Sequence, residues 1–102
     1  MGGLNVANRY TFNGPFTDVG YLLQESGVYL ISVLEDGVHK VLDVGESQDL
    51  HNRVKTHDRA LQWQLYSGGK QIHVSSYYCN ESTRMLIERE LRAFFNPVCG
   101  IR

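Results

Sequence analysis

The sequence predicts a small α/β domain of the α+β kind: a three-stranded mixed or antiparallel sheet flanked by helices. Three observations predict it. Two runs rich in β-branched and aromatic residues, 27–34 and 38–45, stand on either side of Asp36-Gly37, which signals a β-hairpin. Residues 70–78 alternate in polarity, with Ile72 and Val74 on one face. Three further segments carry helix signals: capping residues, apolar side chains about a turn apart, and a Gly or Pro stop.

In chain order, residues 1–16 are polar and hold Gly and Asn, so they read as an irregular arm. Thr17-Asp18 caps a short helix to about Gln24, weakened by Gly20. The arm and short helix span 1–26 and the domain proper spans 27–102. In the hairpin, the turn decides which side chains meet. A two-residue Asp36-Gly37 turn pairs Glu35 with Val38 and sets Tyr29 opposite Val44. A three-residue Glu35-Asp36-Gly37 loop, with Gly37 left-handed in a bulge, pairs Leu34 with Val38 and sets Tyr29 opposite Asp43, on the same face. A one-residue slip moves every side chain to the other face, so the readings exclude each other. The second is preferred, because a polar residue in a central strand needs a reason and a cleft shared with Tyr29 supplies one.

Ser47 caps a helix beginning at Gln48-Asp49, with Leu50 and Val54 as its apolar stripe. Residues 57–66 form a second helical segment with Leu61, Trp63 and Leu65 as candidates for burial, ended by Ser67-Gly68-Gly69. Asn80 or Ser82 caps a long helix to about Phe95, stopped by Asn96-Pro97. On that helix, Glu88 lies beside the Ile87, Leu91, Phe95 stripe, at the edge of the buried arc.

Composition excludes several classes. A hydrophobic fraction of 42% with 21% charged residues is that of an ordered globular chain. No run of about 18 apolar residues exists to span a membrane, and Met1-Gly2-Gly3-Leu4-Asn5 has no secretion-signal character, so a cytoplasmic location is expected. Cys79 and Cys99 form no CxxC pair and read as reduced thiols, with a disulfide between them left open. The net charge of −1 argues against bulk electrostatic binding of nucleic acid, but two local basic clusters stand out. These are Arg53, Lys55, His57 and Arg59, then Arg84, Arg89 and Arg92. His39, His51 and His73 show no metal-ligand spacing.

An ordered series of motifs carries a resemblance. Gly27-Val28-Tyr29 is followed by Asp43-Val44-Gly45. A stretch of small and polar residues then leads to Leu50 and Arg53-Val54, with His57 four residues after Arg53. Met85-Leu86-Ile87-Glu88 is an apolar run ending in a carboxylate, and Asn96-Pro97 closes the series. This series resembles the GIY-YIG nucleases over about residues 27–100. The chain departs from the family pattern in having Asp43 where a Tyr is usual, Glu46 where a basic residue is frequent, Val98-Cys99-Gly100 after the final Pro, and a longer gap between the first two motifs.

The resemblance implies a metal-dependent endonuclease hydrolysing DNA phosphodiester bonds. Tyr29 would orient or deprotonate the attacking water, and Arg53 would contact the scissile phosphate with its planar fork. Arg53 and His57, read as one turn apart on a helix, would both reach the cleft. Glu88 would hold one Mg²⁺ or Mn²⁺ ion. Asp43 would be a second metal-side carboxylate or the acceptor that tunes Tyr29. Lys55, Arg59, Arg84 and Arg92 would bind nucleic acid, and a protein partner would supply targeting. The alternative is a catalytically impaired module of the same fold that binds nucleic acid or a protein partner. Taken alone, each residue has a plainer reading: Tyr29 as strand packing, Arg53 as a solvated arginine, His57 as a helix-end residue, Glu88 as a rim ion pair with Arg84 or Arg92.

Overall fold

The computed structural model describes residues 3–100. Its elements are β1 (Gly3–Val6), β2 (Tyr10–Phe16), a 3-10 turn (Val19–Tyr21), β3 (Gly27–Glu35), β4 (Val38–Ser47), α1 (Leu50–Lys55), α2 (Ala60–Tyr66), β5 (Ile72–Tyr78) and α3 (Glu81–Phe95). The expected α+β class is observed, with five strands in place of three. They form one antiparallel sheet in the order β1-β2-β5-β3-β4.

The two added strands replace the expected irregular arm. The sequence hides them because Gly14 and Pro15 lie inside β2, where the pairing with β5 is interrupted between Asn13 and Phe16. A proline has no N–H to give a ladder, so it belongs at such an irregularity. The β1–β2 turn also lacks a glycine: Ala7 and Asn8 take left-handed φ values of 55° and 56° themselves. The expected helix near Gln24 shortens to one 3-10 turn, capped by the Asp18 side chain on the Gly20 N–H.

The β3–β4 hairpin overturns the preferred turn but keeps its outcome. Asp36 and Gly37 have φ of 52° and 78°, the positive pair of a two-residue hairpin turn, and Glu35 pairs with Val38. Ser32 pairs with Val41 and Ile31 with Asp43, so Leu42 is an extra residue, a bulge. Beyond it Tyr29 lies opposite Gly45 rather than Val44 or Asp43. One inserted residue restores the parity, and Tyr29, Asp43 and Gly45 share a face. Gly45 is required there: a Cβ would fall on the Tyr29 ring and hydroxyl.

Each face of the sheet has its own core. On one, Tyr29, Ile31, Val33, Leu42 and Val74 pack against Leu50 and Val54 of α1, Trp63 of α2, and Cys99. On the other, Val28, Leu30, Val44, Phe12 and Val6 pack against Ile87 and Leu91 of α3. The expected stripes of α1 and α3 are thus the buried ones. On α2 only Trp63 is buried; Leu61 and Leu65, expected inside, are 83% and 74% exposed, because the short helix rests on the sheet through one turn. Asn80 caps α3 by accepting from the Thr83 N–H, and Asn96 ends it in the left-handed conformation. Cys79 and Cys99 are free thiols. Among the described residues, no helix is long and apolar enough to cross a membrane.

Candidate active site

The site grows from the hairpin. Tyr29 on β3 is 1% exposed, and its hydroxyl meets His57 Nε2. Asp49, not Ser47, caps α1, and the helix ends at Lys55, so His57 lies in the α1–α2 connection rather than on a helix face with Arg53. The backbone N–H of Arg59 donates to His57 Nδ1 at 2.9 Å. A neutral ring that accepts at Nδ1 carries its proton on Nε2, so His57 donates to Tyr29. Arg59 Nη2 is a second, longer donor to the same hydroxyl at 3.5 Å. With its oxygen accepting twice, the Tyr29 hydroxyl has its own proton directed elsewhere.

The electrostatics agree. Burial raises the Tyr29 pKa above its ordinary value and the charge of Asp43 adds to this, against Arg59, Arg53 and Arg92. Burial, then the charges of Arg53 and Arg59, lower the His57 pKa from 6.5 to about 4, against Asp58 and Asp43. At neutral pH both groups are uncharged: Tyr29 can orient a ligand by donating a hydrogen bond, and it is a poor base.

Asp43 is fully buried. Oδ2 accepts from Arg59 Nε at 2.8 Å and from Trp63 Nε1 at 2.7 Å. Oδ1 accepts from Arg92 Nη1 at 2.9 Å, from its neighbouring Val44 N–H at 2.9 Å, and from Arg59 Nη2 at 3.4 Å. It has no hydrogen bond to Tyr29. Both oxygens of this carboxylate are thus taken up by donors of the protein itself. Its partner Trp63 was readable only as an apolar residue, although its place four residues after Arg59 puts both on one side of α2's first turn.

The remaining expected residues divide. Arg53 ion-pairs with Asp58 at 3.0 Å, and Asp58 also stands 3.2 Å from His57 Nδ1. Lys55 is exposed at the end of α1. Arg84 is turned inward, donating to Glu46 at 2.6 Å and Ser26 at 2.9 Å. Arg92 spends its donors on Asp43 and on the carbonyls of Val44, Cys99 and Gly100. Glu88 is 8% exposed and lines a cavity of about 370 Å³ with Arg89, Arg92, Asn96 and Gly100. The structure therefore joins Tyr29, His57, Asp43 and Arg59 in one network, and Arg92 links that network to the cavity holding Glu88.

Among the described residues, no three His, Cys, Asp or Glu side chains gather as a metal cage. The donor set fits a different kind of ion. A hard, hydrated divalent cation needs only one or two carboxylates with substrate phosphates and water, and a buried glutamate in an open cavity supplies one.

No protein-family model and no curated protein matches the chain. Solved structures do. Three are point mutants of the GIY-YIG N-terminal endonuclease domain of UvrC from Thermotoga maritima, each bound to its catalytic divalent cation. They align with TM-scores of 0.60 at 18–20% identity, over 81–82% of this chain and 91% of theirs. The fold is that of the GIY-YIG endonuclease domains, as the motif series implied.

Proposed function

We propose that this chain is a metal-dependent endonuclease that hydrolyses DNA phosphodiester bonds. The observation that carries the reading is the Tyr29–His57 pair with Arg53 and Arg59 beside it, on a fold that in similar structures holds a catalytic divalent cation. Arg59 and Arg53 meet the phosphate oxygens, and exposed Lys55 adds positive charge at the end of α1. Tyr29 donates its proton to an incoming oxygen and so orients the water or the phosphate, while neutral His57 holds the phenol from behind. Glu88 would hold the ion, Mg²⁺ or Mn²⁺, which when bound polarises the phosphate and stabilises the leaving oxygen.

A second reading has its own observation. Tyr29 is sealed to 1% exposure beneath the His57–Arg59 connection, and a substrate reaches it only if that connection moves. A module that binds nucleic acid, or a protein, without cutting needs no such movement. The deciding experiment is cleavage of single-stranded, duplex and branched DNA with Mg²⁺ and with Mn²⁺, comparing parent, Glu88→Ala and Arg53→Ala. The nuclease reading expects cutting by the parent, loss of at least about 100-fold in Glu88→Ala, and a smaller loss in Arg53→Ala. Binding without cutting by the parent establishes the module.

A further inference from the structure

We propose that Asp43 is a positioning residue that presents Arg59 to a nucleic-acid phosphate; this rests on a phosphate-binding reading of the site and not on cleavage. The residue that replaces the expected tyrosine holds one edge of a guanidinium still, so that Nη1 is left to meet the anion.

The geometry supports each part. Asp43 takes Arg59 by its Nε and, at longer range, its Nη2. Nη2 also leans on the Tyr29 hydroxyl. Among the described residues no acceptor meets Arg59 Nη1, and the side chain keeps 24% of its surface exposed. A guanidinium has five N–H donors in a rigid plane, so fixing the Nε edge fixes the direction of the two Nη1 N–H groups as well. Two further contacts keep Asp43 from swinging with Arg59: Trp63 Nε1 on one oxygen and Arg92 on the other. Gly100 lies close against both guanidinium groups: a Cβ there would stand 2.8 Å from Arg59 Cζ and Nε, and 2.9 Å from Arg92 Nη2.

The alternative role for Asp43, as an internal counter-charge alone, predicts the opposite effect on binding. Removing a negative charge beside two arginines would raise affinity for a polyanion by bulk electrostatics. Loss of positioning lowers it.

The test is binding of a fluorescein-labelled DNA duplex in EDTA, by anisotropy, at several salt concentrations. Parent, Arg59→Ala, Asp43→Asn and the double variant are compared. Arg59→Ala is expected to weaken binding roughly tenfold and to flatten the slope of log K against log salt by about 0.9, the value of one lost phosphate contact. Asp43→Asn is expected to do nearly the same, and the double variant no more than Arg59→Ala, since both act through one contact. Unchanged or tighter binding by Asp43→Asn, or effects that add, overturn the proposal. So does a parent that binds no DNA. Should Asp43→Asn fail to fold, Arg59→Lys decides: it keeps the charge but cannot bridge Asp43 and a phosphate, and parental affinity in that variant overturns the proposal. A parent that binds but does not cut defeats only the nuclease reading.

Discussion

On the α3 side of the sheet, Val28, Leu30, Val44, Ile87 and Leu91 meet as interlocking aliphatic chains. On the α1–α2 side, the same strands deliver Tyr29 and Asp43 to His57, Arg59 and Trp63. Period-two alternation of one hairpin feeds both sides. The difference lies in how each tolerates loss. An aliphatic cluster that loses a group keeps its remaining contacts, whereas a buried carboxylate shared by three side chains takes a charge or hydrogen-bond partner from each of them when it is lost.

Asp43→Ala is therefore expected to be the most damaging single change, about 3–5 kcal/mol, because it takes from Arg59 and the Trp63 indole N–H their carboxylate and from Arg92 its only counter-charge among the contacts described. Urea unfolding measures it. Leu91→Ala follows at about 2–5 kcal/mol, the range for a fully buried leucine. It should leave the affinity for DNA unchanged once allowance is made for the unfolded fraction. A fall in the affinity of the folded protein would show that the two sides are not independent.

The third prediction concerns pH. His57 has a folded pKa of about 4 against an ordinary 6.5, so folding disfavours its proton. The stability contributed by the neutral ring is complete above about 6.5 and is lost as pH falls toward 4. The urea midpoint of the parent should drop over that window, and that of His57→Gln should drop less. Equal slopes in the two proteins would mean that other groups carry the acid sensitivity. The smallest effect belongs to the surface: Lys70 and Glu35 pair at 3.4 Å with side chains 44% and 45% exposed, so Lys70→Ala should cost under about 1 kcal/mol.

Much of the architecture was legible because it rests on local rules. Asp36-Gly37 marked the hairpin, Asn80 or Ser82 the start of α3, of which Asn80 is the cap, and Leu50 with Val54 the buried face of α1. Strands β1 and β2 were not, since Gly14-Pro15 reads as a breaker unless the gap in their ladder is known. The site was half visible. Tyr29, His57 and Asp43 stood out as polar or aromatic residues in motif positions; Tyr29 meets His57, and Arg59 links both to Asp43. That Asp43 meets Arg59 and the Trp63 indole depends on where α2 docks. Seven residues resting on one indole give no pattern from which to read that docking. Arg84 and Arg92 look basic in the sequence, but the carboxylates that take them up, Glu46 and Asp43, are distant in the chain.

The extra residue at Leu42 shifts the register of the hairpin partway along its length. Below it, 27–31 pair with 43–47 and carry Tyr29 and Asp43; beyond the reach of β5, 34–35 and 38–41 form a stalk ending at an exposed tip. Changes of length at the tip would be taken up by the stalk before they reach Tyr29. A peptide tag or fluorophore spliced between Asp36 and Gly37 would ride on that stalk and report on the protein without touching the residues below.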